Sequence, residues 1–118
     1  MARTVLTVNK INDANKPMDP AAYASMLAVP NSADGAELAL GKDHKTMLLL
    51  VNDGSGTATA TVKAGNGIQG VNDLQISLDA GKYTFVCLDS GRFKNMHGAD
   101  KGKVIIAGTA KIAVFELP

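Results

Sequence analysis

Tryptophan is missing from this sequence, and aromatic residues make up only 4% of it, three Phe and two Tyr in 118 residues. A core must therefore be packed from Val, Leu, Ile, Ala and Met, and a ligand platform that stacks on several aromatic faces is short of material. Cysteine occurs once, at Cys87, which excludes an internal disulfide and fits assembly in a reducing cytoplasm. An excess of either charge is lacking too: 12 Lys and Arg against 11 Asp and Glu leave a formal net charge of +1. That balance gives no general electrostatic pull towards nucleic acid or an anionic membrane. No apolar run approaches the roughly 20 residues of a membrane-spanning helix. The opening "MARTVLTVNK" has no apolar signal-peptide region and no N-x-S/T acceptor occurs, so the expectation is a soluble, unexported chain.

What is present is a hydrophobic content of 46%, enough for a real core at this length. Residues 1–118 are expected to form a single domain, too short to hold separate cofactor and substrate domains. From Lys45 onward, short apolar runs are broken by Gly, Asn and Asp about every eight to twelve residues, an all-β pattern. Strands are expected at 45–52, 57–63, 73–78, 82–88, 103–107 and 110–117. "TMLLLV" is apolar throughout and reads as a central strand. "TATATVK" alternates, with Thr57, Thr59 and Thr61 on one face and Ala58, Ala60 and Val62 on the other. In the last strand Ile112, Val114 and Glu116 share a face, opposite Ala113, Phe115 and Leu117. Between the first two strands, Asp53-Gly54 supplies the positive φ of a tight hairpin. "DAGKY" is a further turn, and Gly108-Thr109 closes a terminal hairpin.

Residues 1–44 are less regular and can hold an arm or long surface loop. A strand is expected from Thr4 to Ile11. Asp19 as N-cap with Pro20 at the first helical position predicts a short helix through "AAYASMLA". Ala36, Leu38 and Leu40 alternate with Glu37 and Ala39, which predicts one more strand.

Gly65 to Gly70, "GNGIQG", spells the G-x-G-x-x-G of a dinucleotide-binding loop. That loop works only when a helix leaves it, because the helix N-terminus holds the pyrophosphate. Here "VNDLQISL" leaves and alternates like a strand, so the expectation is a turn. Asp89 falls 19 positions after Gly70, beyond two strands rather than at the end of one βαβ unit. Cys87 with His44 or His97 is a conceivable thiolate–imidazole pair, but Cys87 lies in the apolar run "FVCL", where a buried inert thiol is expected. The histidines have no metal-site spacing, and "NDGSG" and "LDSG" lack the alternating carboxylates of a calcium loop. No catalytic residue, cofactor or metal ligand is assigned. The net basic patch is "RFKNMHGADKGK", with Arg92, Lys94, Lys101 and Lys103 against Asp100, readable as a solvated loop or as a docking loop for an acidic protein surface. The Thr57, Thr59, Thr61 row reads as an exposed strand face, with strand addition by a partner as its functional alternative.

The succession "DHKTMLLLVNDGSGTATATVKA", "LQISLDAGKYTFVCLDSGRFKN" and "GKVIIAGTAKIAVFELP" resembles a family of small phage and prophage proteins over residues 43–118. The likeness lies in turns and strands rather than in chemical groups. Lys45 stands where the family usually has Arg, "FVCLD" replaces a frequent Gly-Pro-Phe, and little before Asp43 matches. The resemblance implies a capsid decoration or cement protein, a non-enzymatic virion protein at the capsid surface, bound to the major capsid protein of a phage shell. A homo-oligomer such as a trimer is compatible with that role, and neither nucleic acid nor membrane is an expected partner. Together with the strand pattern it predicts an all-β fold, a single antiparallel β-sandwich of jelly-roll or immunoglobulin-like kind with seven or eight strands and a short N-terminal helix or long loop. A carbohydrate-binding or adhesive β-sandwich module is the alternative. Contact residues are expected at Arg3, Lys10, Lys16, Met18, Tyr23 and Met26 in the N-terminal portion, and at Arg92, Lys94 and Lys101 in the basic loop.

Overall fold

A computed structural model describes residues 3–10, 26–41, 45–68 and 72–117. Its strands are β1 (Thr4–Val5), β2 (Val8–Lys10), β3 (Ala36–Ala39), β4 (Thr46–Val51), β5 (Ala58–Val62), β6 (Leu74–Leu78), β7 (Tyr83–Cys87), β8 (Lys103–Gly108) and β9 (Lys111–Glu116). A short helix, α1, covers Ser90–Phe93 between β7 and β8. The strands form a five-stranded sheet ordered β1-β3-β8-β5-β6 and a four-stranded sheet ordered β2-β9-β4-β7.

Both sheets are mixed, which corrects the expectation of purely antiparallel pairing. β1 runs parallel to β3, and β2 runs parallel to β9. The cause lies in the first strand, expected to be continuous from Thr4. It is split: Thr4 and Val5 pair with Ala36 and Glu37 in one sheet, while Val8 to Lys10 pair with Val114 to Glu116 in the other. Leu6, buried between the two halves, donates its N–H to the Glu37 carbonyl at 2.9 Å and leads the chain across. Ile11, the expected end of that strand, and Asp19 to Ser25 of the expected helix lie outside the described residues.

Alternation explains which faces are buried. Ala58, Ala60 and Val62 of β5 turn inward and Thr59 outward, as the sequence pattern requires. β4, flanked by β9 and β7, is the central strand that its apolar run predicted. Leu48, Leu50, Ile112 and Val114 of one sheet and Leu38, Val62, Val104 and Ile106 of the other belong to one buried cluster. Each such side chain contributes about 1.5–3 kcal/mol by leaving water.

Two expected hairpins are not hairpins. β4 and β5 lie in different sheets, as do β8 and β9, so Asp53-Gly54 and Gly108-Thr109 carry the chain from one sheet to the other. Gly54 is not among the positive-φ glycines. The crossing after β4 is organised by Asn52, a buried side chain whose Nδ2 donates to the carbonyls of Gly56 at 2.7 Å and Leu78 at 2.9 Å, while its Oδ1 accepts from the Gly54 N–H at 3.1 Å. At the second crossing Gly108 has φ +125°, and a Cβ there would overlap the Thr59 carbonyl of β5. Among the described strands, β5 and β6 are the consecutive pair that are hydrogen-bonded neighbours in one sheet. Their connection contains the glycine motif.

Candidate docking surface

The glycine motif and the basic loop, some thirty residues apart in sequence, form one corner of the molecule. Gly65 donates its N–H to the Arg92 carbonyl at 2.8 Å. The next residue, Asn66, acts as a clasp: its Oδ1 accepts from the N–H groups of Met96 at 2.6 Å and His97 at 3.3 Å, and its Nδ2 donates to the His97 carbonyl at 2.8 Å. An amide side chain is suited to this because it presents acceptor and donor side by side to a peptide edge. The base of the β5–β6 loop is closed by Asp73, whose Oδ1 accepts from the Ala64 N–H at 2.7 Å.

The basic loop has its own supports. Asp89 caps α1, its Oδ1 accepting from the Gly91 N–H at 2.9 Å, and Phe93 is buried in the core as the loop's anchor. The Arg92 guanidinium lies 4.8 Å from the centre of the Phe93 ring. Asn95 binds the Lys103 carbonyl through both its backbone N–H and its Nδ2, closing the far end of the loop. The loop's acid, Asp100, is engaged by Arg3 at 2.9 Å, and Glu37 takes Lys103 at 2.7 Å. Asp100 holds the Arg3 guanidinium pKa above its ordinary value, chiefly through their hydrogen bond. Arg92, Lys94 and Lys101 have no carboxylate within 4.0 Å among the described residues.

Between the two loops lies an open depression of about 630 Å³ lined by Asn66, Gly67, Ile68, Gly91, Met96 and His97. Ile68 stands fully exposed beside it and Met96 is 40% exposed. The corner therefore offers an apolar point, a loop whose Arg92, Lys94 and Lys101 have no ion-pair partner among the described residues, and a hydrogen-bonded base. This arrangement suits docking: its polar groups are engaged in holding the loops, and its free groups are charge and apolar surface.

The sequence-expected contact residues divide. Arg3 is brought to the basic loop through Asp100, across 97 positions of sequence, but as an ion-pair partner rather than a free cation. Arg92, Lys94 and Lys101 stand on the loop itself. Lys10 lies on β2, opposite Glu116 of β9 in the same sheet, and Met26 is half-buried ahead of the Ala28 bridge to Ile112. Lys16, Met18 and Tyr23 lie outside the described residues, as does His44. Ile68 and Asn66 were not expected at the surface site. Their signal was a single large apolar residue stranded among turn residues, directly after Asn-Gly.

Cys87 corrects a further expectation. It is exposed rather than buried, because odd-numbered residues of β7 face away from the core while Val86 and Leu88 face into it. The same parity exposes Tyr83 and Phe85. After the glycine motif the described chain continues into strand β6. Gln69, Gly70 and Val71 themselves lie outside the described residues. Asp89, the acid of the would-be cofactor motif, is the α1 cap. Among the described residues no group of three or more His, Cys, Asp or Glu is placed to hold a metal ion. Comparison of the chain with family models, with curated proteins and with solved structures finds no match to any of them.

Proposed function

We propose that this chain is a non-enzymatic bacteriophage virion protein, a decoration or cement protein that seats on the outside of the head shell and stabilises it. In this reading the two sheets are the layers of a β-sandwich, and the corner built from the glycine motif and the basic loop meets an acidic surface of the major capsid protein. The observation that carries it is the exposed pair Ile68 and Met96 lining one depression, on a base where Asn66 clasps the loop that carries Arg92, Lys94 and Lys101 in sequence. Cations on that loop steer approach to an acidic partner, and the apolar residues supply contact once water is displaced. A protein that binds assembled shell subunits more tightly than free ones stabilises the assembly by linkage, without chemistry of its own. The resemblance over residues 43–118 supports the same reading.

One observation favours a carbohydrate-binding or adhesive module instead: Tyr83 and Phe85 stand exposed side by side on β7. Their rings meet edge to face at 90°, with centroids 6.0 Å apart, so they do not make the single flat platform on which a sugar ring stacks. Co-sedimentation with phage head shells and with bacterial polysaccharides separates the two. Pelleting with shells supports decoration; pelleting with glycans and never with shells overturns it.

A further inference from the structure

Among the described strands, β7 ends the four-stranded sheet. In the β4–β7 pairing, Leu88 donates to the Thr46 carbonyl at 3.0 Å and Asn52 to the Lys82 carbonyl at 3.0 Å. Antiparallel pairing alternates, so the even-numbered residues of β7 direct their backbone groups at β4. The N–H and C=O of Tyr83 and Phe85 therefore point away from the sheet. Natural edges are blunted by proline, charge or a bulge. Tyr83–Cys87, "YTFVC", has no proline and no charge, and its register with β4 runs unbroken from Met47↔Cys87 to Val51↔Tyr83. On the same face Tyr83 is 66% and Phe85 53% exposed, beside Val51 and Leu49 of β4.

We infer that β7 is a homotypic edge, and that two copies of this chain pair there antiparallel about a two-fold axis at Thr84, joining two four-stranded sheets into one of eight. In that register Tyr83 of each copy lies opposite Phe85 of the other. The two residues exchange both backbone hydrogen bonds, so the outward groups of both are satisfied in both copies. Each aromatic ring meets an aromatic partner, and the T-shaped pair of one copy is extended into a cluster of four rings. An isologous contact needs one strand that complements itself, and this strand meets the requirement. Charge does not oppose it: the paired strands are uncharged and the whole chain carries only +1. The inference rests on the edge strand alone and stands whether or not the corner binds a shell.

Sedimentation velocity over a concentration series, with amide exchange of Tyr83 and Phe85 at both ends of it, tests the pairing. The expected result is a shift from monomer to dimer, with both amides exchanging freely when dilute and protected when concentrated. Phe85→Pro removes one outward N–H, a change edge strands tolerate where the donor faces solvent. It abolishes the dimer, as does the double substitution of Tyr83 and Phe85 by Lys, while Ile68→Asp on the other surface leaves it intact; circular dichroism verifies the fold of each. A chain that stays monomeric up to its solubility limit overturns the inference. So does a dimer or trimer that survives both β7 variants, or Tyr83 and Phe85 amides that exchange equally at all concentrations. Glycan binding lost in the β7 variants of a monomeric chain assigns the aromatic pair to the other reading.

Discussion

A side chain on Gly65 would overlap the backbone carbonyl of Lys94. A Cβ built at Gly65 lies within van der Waals distance of the Lys94 carbonyl oxygen and 2.9 Å from the Phe93 carbonyl carbon, so glycine is what lets the β5–β6 loop reach the end of α1. The first glycine of a motif that spells a cofactor loop is thus a point of close backbone approach within the protein.

Gly65→Ala must push the two loops apart. The expected cost is that of overpacking, about 1–3 kcal/mol. Denaturant unfolding measures it, and faster amide exchange at Met96 and His97 locates the loss at the clasp.

Asn52 makes a second prediction. Its amide satisfies the carbonyls of Gly56 and Leu78 and one backbone N–H where the chain crosses between sheets. Asn52→Ala leaves the Leu78 carbonyl without this donor, at a cost of roughly 1–3 kcal/mol. Asn52→Asp costs more at neutral pH, because an ionised carboxylate would then face two carbonyl oxygens. Thermal melts of the three proteins at pH 7 are expected to rank wild type, Asn52→Ala, Asn52→Asp.

The loop that Asn52 organises is also tied to β9 by Lys111 Nζ, 2.8 Å from Asp53 Oδ2. That hydrogen bond holds the Asp53 pKa below the ordinary carboxylate value. A carboxylate with a lowered folded-state pKa binds protons more readily when unfolded, so its contribution is present above the unfolded pKa and is lost as pH falls through the folded one. Melts of wild type and Asp53→Asn are therefore expected to differ at neutral pH and to converge on acidification below the carboxylate range. Being exposed, the pair contributes little and is weakened by salt. A difference that grows in acid contradicts the assignment.

Much of the sheet structure was legible because alternation is local. Each strand expected after Lys45 forms within a residue or so of its anticipated ends, and in β5 the Ala58, Ala60, Val62 face that the pattern separated from the threonines is the buried one. Sheet membership was not legible. Asp53-Gly54 and Gly108-Thr109 have hairpin spelling, but whether two consecutive strands pair or cross between sheets depends on partners far along the chain. β4 takes β9 and β7, not β5. The split after Val5 was hidden for the same reason, since Leu6 reads as one more strand residue until both sheets exist. The corner was half legible: the cations of "RFKNMHGADKGK" were evident, but their junction with "GNGI" is made by Asn66 bonds to backbone groups, which leave no trace in residue type. Cys87 was misplaced because "FVCL" looks uniformly apolar, while the edge of a sheet has only one covered face.

The central claim is that the cationic corner seats this chain on a phage shell. The direct measurement is the amount of protein pelleting with head shells assembled from a phage major capsid protein, for wild type and for the triple substitution Arg92→Glu, Lys94→Glu, Lys101→Glu. The account predicts saturable binding by wild type, weakened by added salt and lost in the triple variant, whose folding stability falls by only about 1 kcal/mol, because those side chains make no ion pair among the described residues and Arg92 alone gives up a ring contact, with Phe93. Equal binding by a folded triple variant, or no binding by wild type to any shell, would contradict it.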